Sequence, residues 1–429
     1  GSVSDPMEAI EAVCQRIMGL LALRLDWRMD WELPPSARPP VFEAAEASAE
    51  GMAEFVQGHY LEAAVRFARA YERDTTYVRA LVMAAAAYTF AGRPAGTDSM
   101  LRIPRSRRQE LTPYDRLRVD IIQSGLTGDL TAEWDISRRA VEMVPIGTQR
   151  WAFMTGLNEQ GRPRDALEDL ESDLEGLRAA FGPWFRFWGF HTGLYHLLGE
   201  HERELELARE GQETIPNFLP MLTYEGRALA ALGRLDDLGE VVDRILALRV
   251  PTSTTPAHQL AVLAGELRAH GHRETAGSVL AGALAWFERQ DPEWRTSEAG
   301  RLLRVSLLYG LERWDEADAV METFEGDSAR ASTYLGYRGA IAAHLGNADE
   351  ARAYDAQLAQ LDPTYAGPRA VILQWRADIA ALLGDREEAM RLLSQRIGIV
   401  GWGAWLHLDM DLEPLWDYPP FVELLEPKG

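Results

Sequence analysis

Lysine is almost missing from this sequence of 429 residues: Lys428, one residue from the end, is the only one, and arginine supplies every other basic side chain. Chemistry that depends on an internal lysine is therefore excluded. A phosphate-binding loop needs its Gly-Lys-Ser/Thr, a protein kinase needs a lysine on the nucleotide phosphates, and Schiff-base catalysis needs a desolvated amine. Cysteine is equally scarce. Cys14 stands alone, so there is no intrachain disulfide and no cysteine-rich metal centre. Positive charge is short as well, with 44 Lys and Arg against 66 Asp and Glu and a net charge of −22. A surface of that sign repels polyanions, which excludes nucleic acid and anionic membranes as partners. Long apolar runs are also lacking. The longest uncharged one, Ala80 to Gly92, falls short of the roughly 20 residues that cross a bilayer, so no direct membrane insertion is expected.

What remains is ordinary globular composition, 47% hydrophobic and 26% charged, in a chain far too apolar for disorder. The opening Gly1-Ser2 reads as the scar of a cleaved tag, so an upstream region is expected and the native compartment is left open.

A self-similar unit runs along the chain: a glycine, a small residue five positions later, and apolar residues at helical spacing beyond. Gly58 leads to Ala63, Phe67 and Ala70; Gly161 to Ala166 and Leu170; Gly271 to Ala276, Leu280 and Ala283; Gly346 to Ala351; Gly384 to Ala389. Weaker copies start at Gly92, Gly128, Gly199, Gly233 and, with glutamate for glycine, at Glu312 ahead of Ala317. Successive starts lie 33 to 41 residues apart. Prolines follow at a fixed distance in several copies, as from Gly128 to Pro145, Gly199 to Pro216 and Gly346 to Pro363, where they stop the second helix. Each unit is thus helix, tight turn, helix, stop. Small residues at Ala63, Ala166, Ala276, Ala317, Ala351 and Ala389 let the two helices approach, while Phe67, Leu170, Leu280 and Leu393 fill the gap to the next pair.

This pattern resembles the tetratricopeptide repeat, over roughly residues 44–395. The resemblance implies an all-α fold, a right-handed α-solenoid of about ten helical hairpins with capping segments at both ends. In four copies the small residue is replaced by Thr97, Glu133, Glu204 or Leu238, and those hairpins are expected to open or shift. Insertions are expected around Pro183, Thr252 to Thr255 and Asp291 to Trp294.

Residues 1–43 read as an N-terminal helix and a proline-rich linker. Met7 to Leu25 is amphipathic, with Ile10, Val13, Ile17, Leu20 and Leu21 on one side and Asp5-Pro6 as its start. The linker holds Trp27, Trp31, Pro34-Pro35 and Arg38-Pro39-Pro40, and is expected to pack through its tryptophans. Residues 396–429, with Asp409-Met-Asp-Leu-Glu-Pro414 and Pro420-Phe421, read as a C-terminal cap; both ends are expected to act as apolar lids with polar outer faces. This combination of ends resembles the C-terminal repeat region of bacterial receptor-type serine/threonine kinases or winged-helix regulators. That resemblance implies a sensor or interaction region in signalling, with the output domain elsewhere.

No catalytic motif is present: there is no His-Glu-x-x-His, no Gly-x-Ser-x-Gly elbow and no usable Gly-x-Gly-x-x-Gly. No catalytic residue, metal or cofactor is therefore assigned. His191, His196 and His201 are evenly spaced, but a step of five residues turns a helix by about 500°, leaving neighbours on different faces. Asp409, Asp411 and Glu413 alternate as in a calcium loop, but Pro414 stands where glycine is needed, so they read as an acidic helix start. Aligning the central copies places Trp151, Asn158, Arg186, His196, Thr223 and Arg227 on the concave face, where arginine beside tryptophan suits an acidic peptide end. The expected function is a non-enzymatic repeat domain that binds a protein, a peptide or a small ligand in its groove. The alternatives are a scaffold for homo-oligomerisation and, last, an enzyme hidden in the array.

Overall fold

The computed structural model describes residues 6–25, 38–143, 147–182, 184–248, 255–324, 326 and 330–428, and no strand occurs among them. Trp27, Trp31, Pro34, Pro35, Pro145, Pro183 and Thr252 to Thr254 lie outside the described residues.

Among the described residues ten helical hairpins form, where the nine repeat glycines and Glu312 place them. In chain order they are α2 (Phe42–Val56) with α3 (Tyr60–Arg73), α4 (Arg79–Phe90) with α5 (Pro94–Ser106), α6 (Pro113–Thr127) with α7 (Leu130–Met143), and α8 (Gly147–Glu159) with α9 (Pro163–Glu171). After a single helix, α10 (Leu174–Phe181), come α11 (Phe185–Leu197) with α12 (His201–Thr214), α13 (Leu219–Ala231) with α14 (Leu235–Ala247), and α15 (Pro256–Ala269) with α16 (Arg273–Glu288). The short α17 (Pro292–Thr296) precedes α18 (Glu298–Gly310) with α19 (Trp314–Met321), α20 (Ala331–His344) with α21 (Ala348–Leu358), and α22 (Ala366–Leu382) with α23 (Arg386–Val400). Helix α1 (Pro6–Leu25) comes before the first hairpin, and α24 (Pro419–Leu425) follows the last.

The turn chemistry is uniform. The nine turn glycines and Glu312 all have φ between 60° and 85°, the left-handed region that glycine enters without a Cβ penalty. At Gly346 the backbone closes the first helix with Gly346 N donating to Ala343 O at 3.0 Å and Asn347 N to Ala342 O at 2.8 Å, and the turns at Gly58, Gly92, Gly128, Gly199, Gly233, Gly271, Glu312 and Gly384 repeat the second bond. These bonds satisfy carbonyls that a helix end would otherwise leave open. Five residues on, Ala63, Ala166, Ala276, Ala317, Ala351 and Ala389 are fully buried, and Phe67, Leu170, Leu280 and Leu393 fill the core beside them.

Thr97, Glu204 and Leu238 are buried at the same position, so their hairpins stay closed rather than opening. Glu133, in the fourth such hairpin, is half-buried, and burial raises its pKa to about 7.

The chain divides into two compact units, residues 1–157 with 168–185, and residues 158–167 with 186–429. In the first unit Trp184 supplies core. Trp184 packs its ring against Trp151 at 4.8 Å, Phe90 at 5.5 Å and Phe55 at 5.7 Å. Helix α1 joins this unit through Gly19, where a Cβ would collide with the carbonyl of Pro40, and through Arg16, which reaches Pro39 O and Asp74. Its outer face is not polar as expected. Met7, Ile10, Val13, Ile17 and Leu21 are all more than half exposed, because Leu23 and Gly19 make the packed side.

The second unit ends differently from a simple cap. Leu406, Leu412, Leu415 and Phe421 join the core of α22 and α23, as a lid on the last hairpin would. The stretch 402–416 also runs back as a strap over the first helices of all the earlier hairpins in that unit. Trp402 N donates to Glu159 O, Trp405 lies over Arg227 of α13, Leu408 abuts Gly265 of α15, and Asp411 meets α18 and α20.

Candidate functional site

The strap and the first helices of the second unit enclose two polar clusters. The first begins at His196, in the last turn of α11. The chain reverses at Gly199, and α12 returns with His201 at its start and Glu204 in the buried position five residues past the glycine. Glu204 Oε2 lies 2.9 Å from His196 Nδ1 and 3.2 Å from His201 Nδ1. From α13, Arg227 donates through Nε to Glu204 Oε1 at 2.5 Å and through Nη2 to Thr192 Oγ1 at 3.1 Å. Its guanidinium is held over the rings of Trp405 and Tyr224, at 5.1 and 5.7 Å. On α15, Glu266 Oε1 lies 3.2 Å from His196 Nε2 and 3.0 Å from Nε2 of His270, one turn further along. The rings of Trp405 and His407 stack on His196 at 5.4 and 6.0 Å.

Glu204 and Glu266 are both fully buried. A carboxylate in such a place is costly unless charge and hydrogen bonds compensate it. For Glu204, burial works against ionisation, but Arg227 and the two histidines prevail and hold its pKa at about 2. For Glu266, burial is likewise overcome by the bonds from His196 and His270, and its pKa lies far below the carboxylate range. His196 loses by burial and gains more from the two glutamates, so its pKa is raised.

The second cluster lines a cavity of about 580 Å³ bounded by α15, α18, α20, α22, α23 and the strap. Asp378 of α22 faces Asp409 and Asp411 of the strap, with one oxygen of each within 4.8 Å of the others. Tyr309 donates its hydroxyl to Asp411 Oδ2 at 2.6 Å, and His344 Nε2 lies 2.8 Å from Asp411 Oδ1. Gln374 donates to Asp378 at 2.7 Å and to Asp409 at 3.0 Å. Burial and the neighbouring Asp411 push Asp409 up to about 7, and burial with both other aspartates pushes Asp378 well above its ordinary value. Arg396 of α23 lines the same cavity and pulls both aspartates the other way without prevailing, so three carboxylates face one arginine there, an environment that favours a further cationic group. Glu413 closes the strap by pairing with Arg268 at 3.2 Å and Arg273 at 2.5 Å.

Of the residues expected on the concave face, the structure brings His196 and Arg227 together, both through Glu204. Arg227 is not the exposed, anion-gripping cation that the sequence indicated. It is buried, and its charge is committed to Glu204. Thr223 is buried and donates to Leu219 O of its own helix at 3.2 Å. Trp151 packs in the core of the first unit, and Asn158 and Arg186 are half-buried in α8 and α11.

The geometric objection to the evenly spaced histidines also needs correction. His196 and His201 do meet, at 5.0 Å between rings, because the Gly199 turn folds one onto the other, while His191 points elsewhere and stacks on Tyr195. Glu266, His270, Asp378 and the inward role of Asp409 and Asp411 were not found from sequence. Only Glu204 carried a signal, as an acid, like Glu133, in a position that six of the ten copies fill with alanine.

No protein-family model matches the chain, and no curated protein matches it. Among solved structures it is similar to the crystal structure of the APC/C hetero-tetramer Cut9-Hcn1, at 13% identity over 95% of this chain and 86% of that chain, with a TM-score of 0.34. Nothing about what this chain binds follows from that likeness.

Proposed function

We propose that this is a non-enzymatic helical-repeat sensor or interaction domain whose second unit binds a ligand through a cationic group, presented by a protein, a peptide or a small molecule. The observation that carries this reading is the cavity of about 580 Å³ in which Asp378, Asp409 and Asp411 converge beside Tyr309 and Gln374. Its size suits a small ligand or one side chain, and its charge favours an amine or guanidinium over the acidic peptide end expected from sequence. Two of the three acids sit on the strap and one on α22, so an occupant would tie the strap to the repeats. A separate output domain, of the kind that the resemblance to receptor kinases and winged-helix regulators implies, would then read that state.

Calorimetry of the whole chain with putrescine and with an acetylated, amidated arginine as probes, against an acetylated glutamate, tests the reading. The cations should bind, and Asp409→Asn should weaken them about tenfold, a loss of one charge-assisted bond. Equal binding of the anion, or unchanged affinity in the variant, overturns it.

The exposed apolar face of α1 favours a second reading, a scaffold that self-associates through that helix. Light scattering across a concentration series should then show a dimer that an Ile10→Asp, Ile17→Asp double variant dissociates. A monomer at every concentration removes this reading.

A further inference from the structure

We propose that His196, Glu266 and His270 form a binding site for a divalent transition metal of the zinc class, with Glu204 as the residue that orients His196. The three come from two hairpins. Glu266 lies in the last turn of α15 and His270 four residues on, just past its end, and His196 reaches them from α11. Their ligating atoms all lie within 4.8 Å of one another, with N···O separations of 3.0 and 3.2 Å about Glu266 Oε1. Ligands at about 2.0–2.2 Å from a tetrahedral ion stand only a few tenths of an ångström further apart than that. Small side-chain movements therefore suffice.

Three observations point to a cation rather than to a closed hydrogen-bond network. Glu266 is fully buried, yet its Oε2 has no hydrogen-bond partner. A buried carboxylate oxygen left in that state is costly, and a metal held by both oxygens of Glu266 would satisfy it. The outward nitrogen of His196 is already fixed as a metal ligand's would be: Nδ1 lies against Glu204, which Arg227 and His201 hold from behind, leaving Nε2 to face Glu266 and His270. A carboxylate behind a histidine is the usual support for a metal-bound imidazole. The donor set, two imidazoles and one carboxylate, selects zinc, cobalt, iron or manganese over the oxygen-seeking calcium and magnesium.

In the absence of metal, a proton on His196 shared between the two glutamates is the competing arrangement, and metal would replace it at Nε2. The site is separate from the aspartate cavity, so a result at one does not decide the other.

The test uses the full chain, stripped with a chelator and desalted, titrated with Zn²⁺ by calorimetry and with Co²⁺ by visible absorbance. One equivalent should bind, Co²⁺ should develop ligand-field bands, and Ca²⁺ should not compete. His270→Ala and Glu266→Gln should each weaken binding roughly tenfold or more. His272→Ala, outside the cluster, should leave it unchanged. Glu266→Gln touches a fully buried position, so helicity and thermal unfolding are checked first; His270 is partly exposed at the helix end, and its variant keeps the test valid if the other fails to fold. Absence of ligand-field bands in the wild type, or Zn²⁺ uptake equal in wild type and His270→Ala, overturns the proposal and leaves the shared proton as the cluster's resident cation.

Discussion

At Gly346 the backbone holds φ at 80°, and nothing lies within 4 Å of the place a Cβ would take. The cost of Gly346→Ala is therefore backbone strain alone, about 1 kcal/mol. Gly277, inside α16 and equally open, has no such conformation, so Gly277→Ala should stabilise by about 0.5–1 kcal/mol through helix propensity. Urea unfolding of the pair checks both signs. Arg227 gives a larger effect. Arg227→Ala leaves buried Glu204 with only His196 and His201 beside it, and breaking a buried pair in this way costs about 3–5 kcal/mol. An exposed, ligand-seeking arginine would have left stability unchanged, so the same urea experiment separates the two roles.

The hairpin is the element that the sequence describes best. Its turn needs one left-handed residue, its crossing needs one small one, and both needs are local. Ala351 is fully buried at such a crossing, and Ala351→Trp should overpack it at a cost of about 1–3 kcal/mol or more, read as a lowered melting temperature. The strap is the contrary case. Its apolar residues are ordinary in spacing, and nothing local shows that they cross first helices up to some 250 residues earlier in the chain. Phe421, fully buried in the core it shares with α22 and α23, anchors the segment that follows the strap. Phe421→Ala should cost about 3–5 kcal/mol, and limited proteolysis should then cleave within 402–428 before the repeats.

At the scale of the whole molecule, an excess of acids meets a shortage of buried partners. Glu133 and Asp409 both carry pKa values raised to about 7, and Asp378 is raised as well. Between its ordinary pKa and its raised one, each group holds a proton when folded and has lost it when unfolded. The folded state then binds more protons, so these groups make stability fall as pH rises from about 4 to 7. Glu133→Gln should remove part of that slope, with little effect at pH 5 and a gain of about 1–2 kcal/mol at pH 8 after allowance for its partial exposure. A variant that loses stability equally at both pH values would show that Glu133 accepts a bond it cannot do without.

Turn residues, crossing alanines and helix polarity are fixed by neighbours within a few residues, and each was legible in the chain from Gly58 to Ala389. The clusters at His196 and Asp409 were not, because stacking brings together residues such as His196 and Glu266, or Asp378 and Asp409, that share no sequence period. An acid reads as solvated until its burial is known. Glu204 and Glu266 became the centre of a site only once hairpin packing and the returning strap had closed over them.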